Sequence, residues 1–328
     1  MSRSTDLPPY VIETHDLTKI FRAAGGGQNV AVDRMNLAVR RGELFGLVGP
    51  DGAGKTTTIR MLCAIMEPTA GSATVLGYDI LRQAETIKER IGYMSQRFNL
   101  YTELTVAENI RLFADLFGVA RQEREERLLR LLEFSRLGPF QDRRAGQLSG
   151  GMKQKLALSC TLIHEPLLLL LDEPTTGVDP VSRREFWKIL YELLSGGVTI
   201  LVSTSYMDEA ERCNRVAFLY AGRVLAVGTP NELKAMIKTQ ILELKGRPRG
   251  RTQQIVRGLD FVRDVQIFGD LLHLGVADAE AAMPALRSAL ESQGVEIAML
   301  RPIAPSMEDV FMELSGGGRV GQSPGSDL

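Results

Sequence analysis

The segment Gly49-Pro50-Asp51-Gly52-Ala53-Gly54-Lys55-Thr56-Thr57 has the residue types and spacing of G-x-x-x-x-G-K-[ST], which suit it to wrap the phosphates of a nucleotide. Glycines let the backbone turn tightly enough for several N–H groups to converge on one anion. The free N–H groups at the start of a following helix add partial positive charge. Lys55 then reaches the β/γ-phosphates as a point charge, and the Thr56 hydroxyl is placed to ligate Mg²⁺. A glycine-rich surface loop is the competing reading. The apolar strand Leu44–Val48 before the segment and the helical pattern Thr57–Leu62 after it weigh against that alternative.

A second constellation completes a nucleotide site. The aliphatic run Leu167–Leu171 ends in Asp172-Glu173, two acids at the end of a buried strand. Adjacent side chains at a strand end diverge, so Asp172 can hold Mg²⁺ while Glu173 orients and polarises the attacking water. A strand that simply ends in a polar turn is the alternative. Between the two constellations lies Leu148-Ser149-Gly150-Gly151-Met152-Lys153-Gln154, a serine and paired glycines before a helix. That is a further anion cradle. One nucleotide needs a single cradle, so the second serves a nucleotide held by another molecule.

The elements that must position these groups alternate. Val11–Thr14, Val30–Val39, Thr74–Leu76 and Arg90–Met94 read as strands, with a flexible loop at Ala23–Gly27. From Thr105 to Leu137 apolar residues recur every three to four positions, which predicts helices, with Arg121–Arg127 as a solvated face. The α/β pattern resumes with strand 167–171, helix Arg183–Leu194, strand Val198–Val202, and a hairpin of Val216–Leu219 and Val224–Ala226. A boundary falls near Pro230–Lys238. Beyond it the order is βαββαβα, which predicts a small ferredoxin-like sandwich. Gly316–Leu328 reads as a disordered tail. No internal repeat is visible.

Composition bounds the rest. The 328 residues suffice for two domains, and 44% hydrophobic with 24% charged residues is ordinary for a globular chain. A net charge of −1 gives no global field for nucleic acid. Cys63, Cys160 and Cys213 have neither metal nor disulfide spacing and suit a reducing compartment. Met1–Pro9 lacks an apolar signal core, and the 167–171 run is too short to span a bilayer. The chain is therefore expected to be soluble by itself, with another chain supplying any membrane spans.

With these motifs in this order, the chain resembles the ATP-binding subunits of ABC transporters, in particular those of drug and antibiotic exporters with a separate permease. The resemblance runs from about Val11 to Leu233. Gly49–Thr57 matches Walker A, Gln96 the Q-loop, Leu148–Gln154 the signature, Leu167–Glu173 Walker B with the catalytic glutamate, and Thr176–Asp179 the D-loop. The stretch Pro305–Phe311 is similar to the small C-terminal domain of many exporter ATPases. The resemblance implies that Phe21 stacks on adenine, although a core residue at a strand end is an equal reading. It implies that Gln96 contacts Mg²⁺ or water and relays to the membrane subunit. It also implies that Ser149, Gly150 and Gly151 face the γ-phosphate bound on the opposite subunit, with Asp179 at the same interface.

Two positions depart from the family pattern. Met152 replaces the commonest glutamine, which exporter relatives often accept. Ser205, in Ser203-Thr204-Ser205-Tyr206, occupies the place of a histidine that contacts the γ-phosphate. Serine is shorter and carries no charge. Loss of one hydrogen bond to phosphate costs about 1.5–3 kcal/mol, or roughly 10–100-fold in rate if felt only in the transition state. Tolerated drift, with water filling the gap, is the other reading. His15 and His273 fall in strands far from the motifs, and His164 reads as structural.

The expected architecture is an α/β P-loop nucleotide-binding domain of ABC type, residues 11–234, with a helical insertion at about 97–147. A tail at 1–10 precedes it, and a small α+β domain, 239–315, and the tail 316–328 follow. The expected function is ATP hydrolysis, with ATP and Mg²⁺ bound between two head-to-tail cassettes. It drives export of a drug, antibiotic or lipid-like substrate through a permease at the cytoplasmic face of the membrane. Ser205 points to pairing with a different cassette that keeps the histidine; a homodimer is the other arrangement. A soluble ABC ATPase of translation or repair, or a regulatory cassette without turnover, are the alternative functions.

Overall fold

The computed structural model describes residues 8–22, 26–96 and 100–316. Most of the tail expected at 1–10, the first three residues of the loop at 23–27, the start of the insertion at 97–99 and the tail from 317 onward lie outside the described residues. The chain divides into two compact units, Met1–Thr229 and Pro230–Leu328.

In the first unit β1 (Tyr10–Arg22) and β2 (Gln28–Arg40) form a long antiparallel ribbon. There follow β3 (Leu44–Val48), α1 (Lys55–Leu62), β4 (Ala70–Val75), β5 (Tyr78–Asp79), α2 (Ala84–Lys88) and β6 (Ile91–Met94). Next come α3 (Val106–Leu116), α4 (Arg121–Ser135), α5 (Gly150–Leu162), β7 (Leu168–Asp172), α6 (Pro180–Ser195), β8 (Thr199–Thr204), α7 (Met207–Ala210), β9 (Arg215–Tyr220) and β10 (Arg223–Gly228). One sheet is antiparallel, in the order β2-β1-β4-β5; the other has the order β10-β9-β3-β8-β7-β6. In the second sheet all neighbours pair in parallel except β9 and β10.

The parallel sheet is covered on both faces, so its inner strands are continuously buried: every residue of β3, β7 and β8 is. That is why they read as unbroken apolar runs rather than alternating ones. The crossover register places Val48 beside Thr204 and Asp172 beside Ser203. The carboxyl ends of β3, β8 and β7 thus form one rim, the usual ligand-binding edge of such a sheet.

The insertion is built on its own small core of Val106, Ile110, Leu128, Leu132, Leu148, Leu156 and Cys160. Thr105 and Glu108 close a reciprocal capping box at the start of α3. Fully buried Asn109 holds the preceding loop through bonds to the carbonyls of Tyr101, Leu104 and Thr105. The charged start of α4 is largely exposed, and Arg111 of α3 forms a two-bond ion pair with Glu125 at 2.8 and 3.0 Å.

The second unit contains α8 (Pro230–Met236), β11 (Gln240–Arg247), α9 (Arg249–Arg257), β12 (Val262–Phe268), β13 (Leu271–Val276), α10 (Ala279–Glu291), β14 (Glu296–Ile303) and α11 (Met307–Leu314). Its sheet is antiparallel in the order β12-β13-β11-β14. With helices after the first and third strands, this is ferredoxin-like connectivity. Leu242, Leu244, Leu272 and Leu274 pack against Val256, Leu286 and Leu290. Residues 230–234 were expected at the end of the first domain. They form most of α8, which packs on α11 and buries Leu233, and so belong to the second unit.

Candidate active site

The loop after β3 is shaped by glycines that nothing larger can replace. A Cβ on Gly49 would lie 2.2 Å from the Leu219 carbonyl oxygen, and one on Gly54 would lie 2.3 Å from that of Ala31. Gly54 also has φ of 103°, in the left-handed region where side chains are strained. The Gly49 N–H donates to the Thr204 carbonyl at 3.2 Å, and the Ala53 carbonyl accepts from the Gly222 N–H at 3.2 Å. The loop, with exposed Asp51 and Gly52 at its tip, is therefore tied to β8 and to the β9–β10 turn.

Lys55 opens α1 and is 4% exposed. Its ammonium donates to the carbonyls of Gly49 at 2.7 Å and Pro50 at 3.0 Å and pairs with Glu173 Oε1 at 3.0 Å. Thr56, one residue on, donates its hydroxyl to Asp172 Oδ1 at 3.1 Å. Thr57 follows in the same first turn. Glu173 stands at φ of 48°, which turns the chain sharply off the end of β7 and separates its side chain from that of Asp172. Gln96, just past β6, donates from Nε2 to Glu173 Oε2 at 3.0 Å. Lys55, Thr56, Asp172, Glu173 and Gln96 are thus brought into one contiguous cluster.

Asp172 has no exposed surface, and its Oδ2 is buried without a hydrogen-bond partner among the described residues. Burial pushes its carboxyl above the usual aspartate range, only partly offset by hydrogen bonds from Ser203 and Thr56. A buried carboxylate with one unused oxygen, beside a hydroxyl, is a hard-oxygen donor set of the kind Mg²⁺ takes. The residues present fit that ion.

The remaining candidates sit in local arrangements of their own. Ser149 caps α5, its Oγ accepting the Met152 N–H at 3.3 Å, and both Ser149 and Gly150 are exposed. Gly151 is buried, packed so closely on α6 that a Cβ there would lie 2.4 Å from Cβ and Oγ of Ser182. Asp179 caps α6 by accepting from the Val181 and Ser182 N–H groups at 3.0 Å. Bonds from Ser182 hold its carboxyl below the usual range. Ser205 directly follows β8 and is half-buried. Phe21, near the end of β1, is 38% exposed and so is no core residue; its ring carries the Lys19 ammonium at 5.4 Å. His164 stacks on Phe117 with ring centroids 3.9 Å apart and bonds the Ile91 carbonyl, while His15 and His273 lie in β1 and β13.

The sequence reading did not give Ser203 a role in the site, and it placed Thr176 only in the D-loop match, without its bond to Glu173. Ser203 donates from Oγ to Asp172 Oδ1 at 2.7 Å and accepts from the Glu173 N–H at 3.0 Å, so it fixes both acids. Thr176 donates to Glu173 Oε2 at 3.2 Å. The available signal for Ser203 was the pair of hydroxyls, Ser203-Thr204, at the end of a buried strand.

Comparisons with known proteins identify the family. The sequence matches the ABC transporter family over residues 32–176 and the C-terminal domain of DrrA1-3-like ATP-binding proteins over residues 228–315. It is 42% identical over 316 residues to the probable multidrug ABC transporter ATP-binding protein YbhF of Escherichia coli (strain K12), covering 96% of this chain. The chain spans only 54% of the length of that relative. It is 41% identical over 293 residues to the Nod factor export ATP-binding protein I of Rhizobium sp. (strain N33), covering 88% of this chain and 93% of that one. Among solved structures, the dimeric post-hydrolysis cassette MJ0796 bound to ADP and Pi aligns with TM-score 0.61 at 27% identity, over 66% of this chain and 98% of that one. CbiO1 from Clostridium perfringens aligns with TM-score 0.63 at 25% identity, over 77% and 96%. With the phosphate loop and paired acids on one sheet rim, and a relative matched over nearly its whole length, the chain belongs to the ABC transporter family of ATP-binding proteins.

Proposed function

We propose that this chain is the ATP-binding subunit of an exporter, hydrolysing ATP at the interface of two head-to-tail cassettes to drive a separate membrane permease. The observation that carries the reading is the cluster of Lys55, Thr56, Asp172, Glu173 and Gln96 on one sheet rim. The nucleotide's phosphates occupy the loop Gly49–Thr57, and Lys55 exchanges its contacts with Glu173 and two carbonyls for phosphate oxygens. Thr56 and Asp172 would hold Mg²⁺, whose charge would neutralise that of the phosphates. Glu173, steadied by Thr176 and the Ser203 hydroxyl, accepts a hydrogen bond from the attacking water and orients it in line. Gln96 bridges Glu173 to the segment entering the helical insertion, a route from the reaction to the permease.

Ser149 and Gly150 of the cradle and the cap Asp179 are exposed, as an interface with a second cassette requires, while Gly151 is buried behind them. Relatives named for Nod factor export and multidrug transport favour an export direction. No helix among the described residues is long and apolar enough to cross a membrane, which suits a peripheral subunit on the cytoplasmic face. Ser205 adds a refinement: the chain's own Walker site is slow, and its intact signature completes a fast site on a partner that keeps the histidine. Phe21, exposed near the end of β1, serves as the adenine platform.

The deciding experiment is ATP turnover by the purified chain, alone and then with the cassette and membrane proteins encoded beside its gene. Turnover that rises on assembly with those proteins supports the reading. ATP binding with no turnover in any combination replaces it with a regulatory cassette, and turnover tied to ribosomes or DNA replaces it with a soluble ATPase.

A further inference from the structure

We propose that Glu209 is a positioning residue for the hydrolytic site, its buried carboxylate clamping the strand end that carries Ser205 to the segment that follows Glu173. The inference rests on the ATPase reading above.

Glu209 lies in α7 and has no exposed surface. Its Oε1 accepts from the Thr175 hydroxyl at 2.7 Å and from the Trp187 indole N–H at 3.0 Å. Its Oε2 accepts from the Thr204 hydroxyl at 2.6 Å. Arg183 supplies countercharge, with Nε 3.7 Å from Oε1 and its guanidinium 4.0 Å over the Tyr206 ring. A buried carboxylate is tolerated only when it is paired and hydrogen-bonded. Three donors and a cation meet that requirement here, and bonds to a charged acceptor are the strong kind.

Each partner leads directly to the site. Thr204 ends β8; its carbonyl takes the Gly49 N–H at the start of the phosphate loop, and its hydroxyl takes the Tyr206 N–H across Ser205. Thr175 is followed by Thr176, whose hydroxyl holds Glu173. Arg183 and Trp187 lie on α6, the helix capped by Asp179. One carboxylate therefore ties the phosphate loop, the Ser205 turn, the Glu173 segment and the Asp179 helix. Apolar side chains of equal volume would fill this space without loss of stability. They would not fix the direction in which the Ser205 and Glu173 segments face each other. Glu209 acts through Thr204 and Thr175 rather than by touching nucleotide.

The chain offers its own reporter, because Trp187 is its single tryptophan. Nucleotide engages the Gly49 loop and Ser205, both tied to Glu209 through Thr204, so ATP binding should shift Trp187 emission. The test compares the full chain with Glu209→Gln, which keeps volume but removes charge and one acceptor, and with Thr175→Val, which deletes a single donor. We expect Glu209→Gln to lower kcat about 10-fold or more while KM and binding of a fluorescent ATP analogue stay within about twofold. Thr175→Val should move kcat the same way by less. The ATP-induced emission shift should be present in wild type and absent in Glu209→Gln. Unchanged kcat in both variants, or affinity falling in step with kcat, overturns the proposal. Should Glu209→Gln fail to fold, Thr175→Val decides alone. Wild-type protein that binds ATP without turnover overturns the ATPase reading instead, and the emission shift then still decides whether the clamp responds to nucleotide.

Discussion

The Lys55 ammonium and the Glu173 carboxylate stand 3.0 Å apart, 3% and 6% exposed, so the cation suited to phosphate and the base suited to water neutralise each other. A buried pair of this kind contributes little net stability, but breaking it strands a charge. Among the described residues, Lys55→Ala leaves the Glu173 carboxylate with the bonds from Gln96 and Thr176 and no countercharge. The variant should lose about 3 kcal/mol of nucleotide-free stability in urea denaturation, and adding Glu173→Gln should restore most of it. It should also bind nucleotide weakly. A Lys55→Ala chain as stable as wild type would show that the pair is not maintained in solution.

Glu173→Gln separates binding from chemistry. The amide keeps the side chain's shape and its bond to Lys55 but is no base, so ATP should bind as in wild type and remain unhydrolysed. Removal of a general base typically lowers turnover by about 10²–10⁴-fold. Single-turnover kinetics on the loaded complex measure this directly. Equal hydrolysis by the variant and wild type would remove Glu173 from the catalytic role.

What could be read from the sequence divides along a physical line. The phosphate loop and the acids after Leu171 are contiguous, and their flanking strand and helix patterns are local, so they were visible without the fold. Ser203 was not, because its role arises from the parallel register that sets it beside Asp172. The bond from Thr176 to Glu173 was not, because it depends on the left-handed turn at Glu173. Helix α6 begins at Pro180, three residues before the expected start, since Asp179 caps it and Pro suits the first turn.

Gly151 is small because α6 is close. A Cβ there meets Cβ and Oγ of Ser182 at 2.4 Å, and neither is the end of a long side chain that could move aside. Gly151→Ala should cost about 1–3 kcal/mol in thermal or urea unfolding. Ser182→Gly in the same chain should recover much of that loss, since the clash is with that side chain while its capping N–H remains. A double-mutant cycle with no coupling would place the strain elsewhere.

Burial against Phe117 and the nearby Arg127 charge hold His164 below the usual histidine range. The native state then resists a proton that the unfolded chain accepts. Between the two values the unfolded state binds more protons, so stability is fully present above about pH 6.5 and falls as pH drops toward the native value. His164→Gln should flatten this acid limb relative to wild type. Urea midpoints for the two proteins at pH 7.5 and pH 5 test it: a parallel loss in both would assign the limb to other groups.

Ser205 decides whether two copies of this chain suffice. It follows β8 on the rim that holds Gly49, Asp172 and Glu173, where a longer, chargeable side chain would reach farther toward the phosphates. If its shortness limits the chain's own site, Ser205→His should raise turnover of the chain alone by roughly 10–100-fold, the value of one bond to a charged phosphate. The same substitution should matter little in a complex whose rate is set by a partner's Walker site completed by Ser149 and Gly151. Steady-state turnover of both forms, alone and with the second cassette, separates the cases. A rate unchanged by Ser205→His in the isolated chain would mean that serine suffices there, and the asymmetric pairing would lose its support.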